Sequence, residues 1–238
     1  MLTKNYLSAS SARWFDKSPD HLLYYWNEPR NEEYNEAFAI GNAFEALMTG
    51  TFIQNIWEKP FPNKSMNLVA NKESWAVAHA NNAIKLADYN TALAMAANAT
   101  VWKRGGETQK QVSVMLFGVE WRGVLDSINN GIVTEYKTMP SVSYDKFGRK
   151  VYDMLYYLQA YIYVKGMDAQ KCEFVCAEKN KPYLAACYSM ENWMEMAEAK
   201  CKELSERFLK WQDADFIKTG RYHATRNAIS SVPEKWMK

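Results

Sequence analysis

The chain has 238 residues and a formal net charge of +2, so a nucleic-acid partner would require a local basic surface. Its composition, 48% hydrophobic and 24% charged, is that of a globular protein, and no apolar run reaches membrane-spanning length. Because residues 1–12 lack an apolar signal core, we expect a cytoplasmic protein without membrane association. The four cysteines form no CxxC pair, which favours reduced, buried thiols over zinc or iron–sulfur ligation.

The first hundred residues are predicted to be mainly helical. A serine cluster at 8–11 is typical of a helix start, and an amphipathic stretch follows it to about residue 26. A second helix is predicted over 37–52 and a loop over 60–72, where two prolines lie. The Ala-rich segment 74–99 is predicted to form one long helix.

Beyond Gly105 and Gly106 the pattern changes to alternating strands joined by hairpins. Strands are predicted over 112–116, 119–128, 132–139, 171–178 and 183–190, and helices over 147–165 and 191–213. This order predicts an α/β fold with a central mixed sheet flanked by helices. We expect a single domain over 1–238, with a helical part to about 104, a sheet-containing core over about 105–213 and a tail over 214–238.

One predicted hairpin carries a set of charged residues that suggests chemistry. If Asn130-Gly131 forms a two-residue turn, Asp126 lies directly opposite Glu135, and both project to one face. Lys137 is two residues beyond Glu135 and so shares that face. Two adjacent carboxylates repel each other unless a hard cation such as Mg²⁺ binds between them, and such a cation can polarise a phosphodiester and activate water.

Two alternatives remain open for this hairpin. It could be a solvated face that carries an ordinary Glu–Lys pair, because a Glu-x-Lys tripeptide is common by chance. The register could also shift by one residue if Asn129-Asn130 forms the turn instead.

Three ordered motifs resemble those of PD-(D/E)XK nucleases. The segment GVLD, eight residues and then EYK, which ends at Lys137, resembles the family's D-x(n)-E-x-K core, although the proline that often precedes the aspartate is missing. Upstream, GNAFE resembles the helix motif of RecE-like, RecB-like and lambda-exonuclease-like members, with Glu45 where the first two groups carry histidine. Downstream, YYLQAYIY resembles the family's Gln-x-x-x-Tyr helix and supplies Gln159 and Tyr163.

The resemblance implies a restriction-endonuclease-like core with its site where two central strands diverge. It further implies that Mg²⁺ or Mn²⁺ is held by Glu45, Asp126, Glu135 and the backbone carbonyl of Tyr136. Lys137 would position the attacking water, and Gln159 would support substrate or water. Ordinary alternatives are an exposed helix glutamate at position 45 and a core amide bonded to backbone at position 159.

Several other residues are candidates for DNA binding. Ser10, Ser11 and Arg13 could bind a terminal phosphate at a helix N-terminus, although helix capping explains one serine equally well. Lys146, Arg149 and Lys150 form a short basic cluster that could contact the DNA backbone or begin a solvated helix. Tyr163 is a further candidate. Glu107, Glu178 and Lys179 match positions of the family pattern without a role that we can assign.

The resemblance implies a phage-type exonuclease that acts on ends of linear double-stranded DNA. Such enzymes resect one strand in the 5′→3′ direction for recombination with a single-strand annealing protein, and some assemble as homo-oligomeric rings. The alternatives are an endonuclease, a RecB-like nuclease, or a DNA-end-binding module without catalysis. The intact Asp126, Glu135 and Lys137 argue against the last of these.

Overall fold

The computed structural model describes residues 4–28, 34–51, 55–58, 69–80 and 83–213. The strands are β1 (Tyr6–Leu7), β2 (Ile56–Trp57), β3 (Ile84–Lys85), β4 (Glu107–Leu116), β5 (Val119–Asn129), β6 (Ile132–Met139), β7 (Lys171–Glu178) and β8 (Ala185–Ser189). The helices are α1 (Ala9–Lys17), α2 (Pro19–Asn27), α3 (Glu36–Thr49), α4 (Val69–Ala80), α5 (Leu86–Ala99), α6 (Tyr144–Asp153), α7 (Tyr156–Met167) and α8 (Met194–Asp213).

A six-stranded mixed sheet organises these elements. Its order is β1-β5-β6-β7-β8, and β4 pairs with β5. Strand β4 runs antiparallel along one edge of β5, from the pair of Glu107 with Ile128 to that of Leu116 with Val119, with one pair missing opposite Asp126. The opposite edge of β5 is shared, because β6 pairs with it at residues 127–129 and β1 pairs in parallel at residues 120–121. Between these two pairings, residues 122–126 of β5 have no strand partner on that edge within the described part of the chain.

Helices cover both faces of the sheet, as the sequence pattern predicted. Alternate residues of β7 show this division. Phe174 and Cys176 belong to a core that includes residues of α1, α2, α7 and α8, whereas Val175 and Ala177 pack with α3 and α5. Strand β6 therefore lies in the middle of three layers, and its residues 133–136 are all buried. A charged residue in that segment must find its partners inside the protein.

The first predicted helical stretch is divided in two. Ser8 caps α1, where its hydroxyl accepts from Ser11 N in a capping box, so the predicted helix start is confirmed. Ser18 then caps α2, and Pro19 occupies its first position, which ends the continuous helix that amphipathicity alone predicted. The second predicted helix is confirmed as α3, and Gly50 ends it in the left-handed conformation with φ 76°.

Two longer predicted helices, over 74–99 and 147–165, are wrong as single elements, whereas the one over 191–213 is confirmed as a short 3-10 turn followed by α8. The Ala-rich segment contains the end of α4, strand β3 and helix α5, because β3 pairs with β2 in a separate small sheet and thereby overrides helix propensity. The helix predicted from residue 147 begins at Tyr144 and breaks at Leu155, a buried residue with φ 54° that separates α6 from α7. Of the predicted loop over 60–72, residues 69–72 belong to α4; its remainder and the tail lie outside the described residues.

The four cysteines are free thiols, as expected, and Cys172, Cys176 and Cys201 are buried. Burial raises the pKa of the Cys201 thiol to about 12, which keeps it protonated and unreactive. No helix within the described ranges combines the length and the apolar character needed to cross a membrane.

A close helix–strand contact fixes α7 against the sheet. A Cβ atom added to Gly166 of α7 would overlap Val112 Cγ1 on β4, so Gly166→Ala should lower the free energy of unfolding by about 1–3 kcal/mol through overpacking. Gly148 of α6 is the matched control, because nothing lies within 4 Å of its added Cβ. There, alanine should raise the free energy of unfolding by about 0.5–1 kcal/mol. Urea unfolding of both variants checks the prediction, and changes of equal sign would contradict it.

Candidate active site

The candidate site lies where β5 and β6 part. The predicted hairpin register is confirmed, because Ser127 pairs with Thr134 and Asn129 with Ile132 around an Asn130-Gly131 turn in which both residues have positive φ. The alternative turn at Asn129-Asn130 is therefore excluded. The ladder ends at Ser127, one residue before Asp126 would meet Glu135. Both carboxylates thus lie at the first position where the two strands separate.

The two carboxylates replace the backbone ladder at this point. Asp126 N donates to Glu135 Oε1 at 3.0 Å, and Tyr136 N donates to Asp126 Oδ2 at 2.8 Å. Each strand therefore receives a side-chain oxygen from the other where a carbonyl oxygen would ordinarily accept. Asp126 is 6% exposed and Glu135 is fully buried, so these hydrogen bonds also offset part of the cost of burying their charges.

Lys137 joins the pair, as the two-residue spacing predicted. Its Nζ lies 2.8 Å from Glu135 Oε2 and 3.7 Å from Asp126 Oδ2. Burial lowers the pKa of Lys137, but the two carboxylates outweigh it, so that the pKa rises well above its usual value. Lys137 is therefore a permanent positive charge at neutral pH and is unsuited to act as a general base.

Helix α7 completes this side of the site. Gln159 Nε2 donates to Glu135 Oε2 at 2.7 Å and to Tyr163 OH at 3.2 Å. The Tyr163 hydroxyl in turn donates to Val124 O at 2.9 Å, on the edge of β5 that lacks a strand partner. Gln159 thus reaches the acidic pair directly. The hydroxyl of Tyr163, which is 5% exposed, serves within the protein, so its predicted DNA contact stays a prediction.

Glu45 approaches from α3, on the opposite side. Its carboxylate accepts from Gln109 Nε2 at 2.7 Å. Burial raises the pKa of Glu45, and the neighbouring charge of Asp126 raises it further, whereas Lys137 acts in the opposite sense. The structure therefore brings Glu45 close to the acidic pair, although its role as a ligand stays a prediction. Helix α3 packs against β6 here, since a Cβ added to Gly41, one turn earlier, would be in ordinary contact with Thr138 Oγ1 at 3.6 Å.

The donor set suits a hard divalent cation. Burial raises the pKa of Glu135, and the adjacent Asp126 raises it further, as expected for two carboxylates that lack a second neutralising charge. Oxygen donors of this kind are those that Mg²⁺ and Mn²⁺ prefer. Within the described residues, no three acidic, histidine or cysteine side chains already converge on one cation position. Lys137 and Gln159 bind Glu135 instead, so metal binding would require those contacts to loosen.

The acidic pair faces a cleft of about 1190 Å³ that is open to solvent. Its lining includes Asp126, Glu135, Lys137, Gln159 and Tyr163, together with the start of α1 and aromatic residues of α1 and α2. We call this space the active-site cleft. Ser10 and Ser11 line it, as their predicted role requires, although the Ser11 hydroxyl is engaged by Ser8 in the α1 cap.

Four other predicted DNA-binding residues, Arg13, Lys146, Arg149 and Lys150, do not line the active-site cleft. Arg13 donates to Met154 Sδ and stacks on Trp14 at 5.3 Å. Lys146, Arg149 and Lys150 belong to α6. The unassigned acids have local partners, since Glu107 pairs with Lys110, and Glu178 accepts from Val142 N. Tyr136 points its ring toward Phe44, and the ligand role of its carbonyl stays a prediction.

Sequence reasoning missed two residues that shape the site. Gly123 lies beneath the Tyr163 ring, where an added Cβ would be 2.5 Å from Tyr163 Cε1. A single glycine inside a predicted strand signals such a close approach, so this residue could have been found. Gln109 gave no comparable signal, because a glutamine in a strand indicates nothing about a partner on a distant helix.

Comparison with known proteins agrees with this geometry. The family described as a PDDEXK-like domain of unknown function (DUF3799) matches residues 8–219. The chain therefore belongs to this family, and its predicted place in the PD-(D/E)XK nuclease superfamily is confirmed.

Solved structures support the fold at low sequence identity. A protein from Eubacterium rectale, named as a candidate exonuclease, aligns with a TM-score of 0.62 and 15% identity over 93% of this chain and 90% of that one. SSO0001 aligns more weakly, over 90% of this chain and 80% of its own at 16% identity, with a TM-score of 0.41. No curated protein matches the sequence.

The crowding of the two carboxylates predicts a pH-dependent stability. Burial and Asp126 raise the pKa of folded Glu135 above 4.5. The contribution of Glu135 to the free energy of unfolding is therefore complete below pH 4.5 and is lost as the pH rises through the higher folded pKa. In EDTA, the melting temperature of the wild type should therefore fall relative to Glu135→Gln between about pH 5 and pH 8. Thermal unfolding followed by circular dichroism measures this difference.

Glu203→Gln is the control for this measurement. Burial raises the pKa of Glu203, but Lys200 and Arg207 lower it by more, so this group titrates below 4.5. The difference in melting temperature between Glu203→Gln and the wild type should stay constant over the same pH range. A constant difference for Glu135→Gln as well would show that the buried pair is not under electrostatic strain.

Proposed function

We propose that the protein is a metal-dependent deoxyribonuclease, specifically an exonuclease that resects one strand of linear double-stranded DNA in the 5′→3′ direction. The observation that carries the proposal is the cluster of Asp126, Glu135 and Lys137 at the parting of two central strands, facing an open cleft. Buried charges are costly to keep, so a catalytic role explains this cluster better than a contribution to stability does.

Each residue has a distinct task in this proposal. Mg²⁺ or Mn²⁺, held by Asp126, Glu135 and Glu45 with help from the Tyr136 carbonyl, would polarise the phosphate and lower the pKa of the attacking water. Lys137 orients that water through its N–H groups and offsets negative charge that develops on the phosphoryl oxygens. Gln159 keeps Glu135 oriented, because its amide donates to the carboxylate that Lys137 also contacts.

The aromatic wall of the active-site cleft, formed by Trp14, Tyr24 and Tyr25, supports a nucleic-acid substrate. Trp14 and Tyr25 stack with ring centroids 5.8 Å apart, and Tyr24 beside them is 63% exposed. Lys17 lies over the Trp14 ring at 4.5 Å. Aromatic rings interleaved with cations favour stacked bases and a phosphate backbone. The global charge of +2 makes such a local surface necessary for binding DNA.

Polarity and partners rest on the resemblance to RecE-like and lambda-exonuclease-like enzymes. On that basis we propose DNA ends as the substrate, a single-strand annealing protein as a partner and a homo-oligomeric ring as the assembly. The proposed single domain, the cytoplasmic location and DNA contacts by Ser10, Ser11, Arg13, Lys146, Arg149 and Lys150 have the same standing.

The direct test compares linear and circular duplex DNA. The protein should degrade the linear form with Mg²⁺, leave the closed circle intact and be inactive in EDTA. Lys137→Ala should lower kcat by about 10²- to 10³-fold, the usual loss when one charge-stabilising group is removed. Lys200→Ala is the matched control, because Lys200 is also 20% exposed and paired with two acids but lies on α8 outside the cleft.

The outcomes separate the alternatives. Nicking of the circle would favour an endonuclease, and DNA binding without cleavage, unchanged by Lys137→Ala, would contradict catalysis. Strands labelled at the 5′ or 3′ end report polarity, since 5′→3′ resection releases the 5′ label first.

The aromatic wall gives a separate prediction about substrate affinity. Trp14→Ala should raise KM for DNA by about 5- to 100-fold, the range for one lost base-stacking contact, with kcat within about twofold of the wild type. Phe38→Ala should leave both parameters unchanged, because Phe38 is 72% exposed and lies outside the cleft. Steady-state kinetics distinguishes the two, and an unchanged KM for Trp14→Ala would rule out the wall as a DNA-binding surface.

A further inference from the structure

Strand β4 also departs from β5 at Asp126. The antiparallel register pairs Thr108 with Ser127 and Lys110 with Leu125, and it omits the intervening pair of Gln109 and Asp126. Asp126 therefore lies at a break in strand pairing on both edges of β5, since β6 separates at the same residue. The break on the β4 side has an identifiable backbone cause.

Gln109 adopts a backbone conformation that glutamine rarely adopts. Its φ is 53°, in the left-handed region that favours glycine and asparagine. Such a conformation costs energy and persists only where surrounding contacts enforce it, most often at functional sites. The contact present here is the hydrogen bond from Gln109 Nε2 to Glu45 Oε1, at 2.7 Å.

Glu45 needs a restraint of this kind. Its carboxylate lies within hydrogen-bonding reach of that of Asp126, a contact that needs a proton between the two groups, and when both groups are ionised they repel each other. A glutamate side chain can rotate about several bonds, so repulsion alone would turn Glu45 toward solvent. The neutral amide of Gln109 holds the Glu45 carboxylate in place by a hydrogen bond. It adds no positive charge that would oppose the binding of a cation.

We infer that Gln109 is a positioning residue, which holds Glu45 beside Asp126 so that Glu45 can act as the third carboxylate of the cation site. The inference rests on the proposed metal-dependent function. It gives a reason for the left-handed conformation of Gln109 and for the missing strand pairing between Gln109 and Asp126. It also accounts for the long reach of Glu45 from α3, since an unrestrained side chain would contribute little to metal affinity.

The test measures Mn²⁺ affinity of the full chain by isothermal titration calorimetry, without DNA. Gln109→Gly removes the amide and relieves the backbone strain, so the variant should fold at least as well as the wild type. Its Kd for Mn²⁺ should rise about tenfold, as is typical when a residue that orients a ligand is lost. Gln170→Ala is the control, because it removes an exposed amide that does not line the active-site cleft and should leave Kd unchanged.

A double-mutant cycle tests whether Gln109 acts through Glu45. In a Glu45→Ala background, Gln109→Gly should cause no further loss of Mn²⁺ affinity. Additive losses, or a Gln109→Gly variant that binds as tightly as the wild type, would overturn the inference. A wild type that binds no Mn²⁺ would overturn it together with the proposed function. If the expected affinities are found but no DNA is cleaved, the positioning role stands and the nuclease proposal fails.

Discussion

The structure depends on two buried acids that supply hydrogen-bond acceptors to the backbone where the central sheet opens. Where β5 and β6 part, the backbone N–H groups of Asp126 and Tyr136 lose their ladder acceptors, and carboxylate oxygens from the opposite strand take over. The fold thereby gains the hydrogen bonds that a buried backbone requires. In return, the acids are held close together with only Lys137 between them. Backbone satisfaction and charge crowding arise from the same two contacts.

The surrounding elements fit this arrangement from several sides. Gly123 leaves space for the Tyr163 ring, and the Tyr163 hydroxyl bonds to Val124 O on the open edge of β5. The same helix brings Gln159 to Glu135. A buried ion pair is weak evidence for stability, because an apolar replacement often stabilises a protein equally well. The convergence of an amide and a lysine on two buried acids, with Glu45 nearby, is therefore better explained by chemistry.

Much of the site could be predicted because its signals are local. The Asn130-Gly131 turn sets the register, and the register places Asp126 and Glu135 together. Glu45 and Gln159 followed from motifs on two helices, and the structure brings both to the acidic pair.

The features that the sequence did not predict have a common cause in long-range packing. Leu155 is buried and adopts φ 54°, and so breaks a helix that the amphipathic pattern predicts to be continuous. The two-residue strand β1 has too short a pattern to detect, yet its parallel pairing closes the far end of the opening in the sheet. Gln109 acts through a residue 64 positions away in the sequence, so no window along the chain reveals it.

The most direct test of the central claim is a crystal structure of the full chain with Mn²⁺, using the anomalous signal of the metal. We predict one Mn²⁺ ion bound by Asp126 and Glu135, with Glu45 beside it and Lys137 Nζ displaced from the two carboxylates. An absence of anomalous density between these acids at saturating Mn²⁺, with Lys137 still paired to Glu135, would contradict the account.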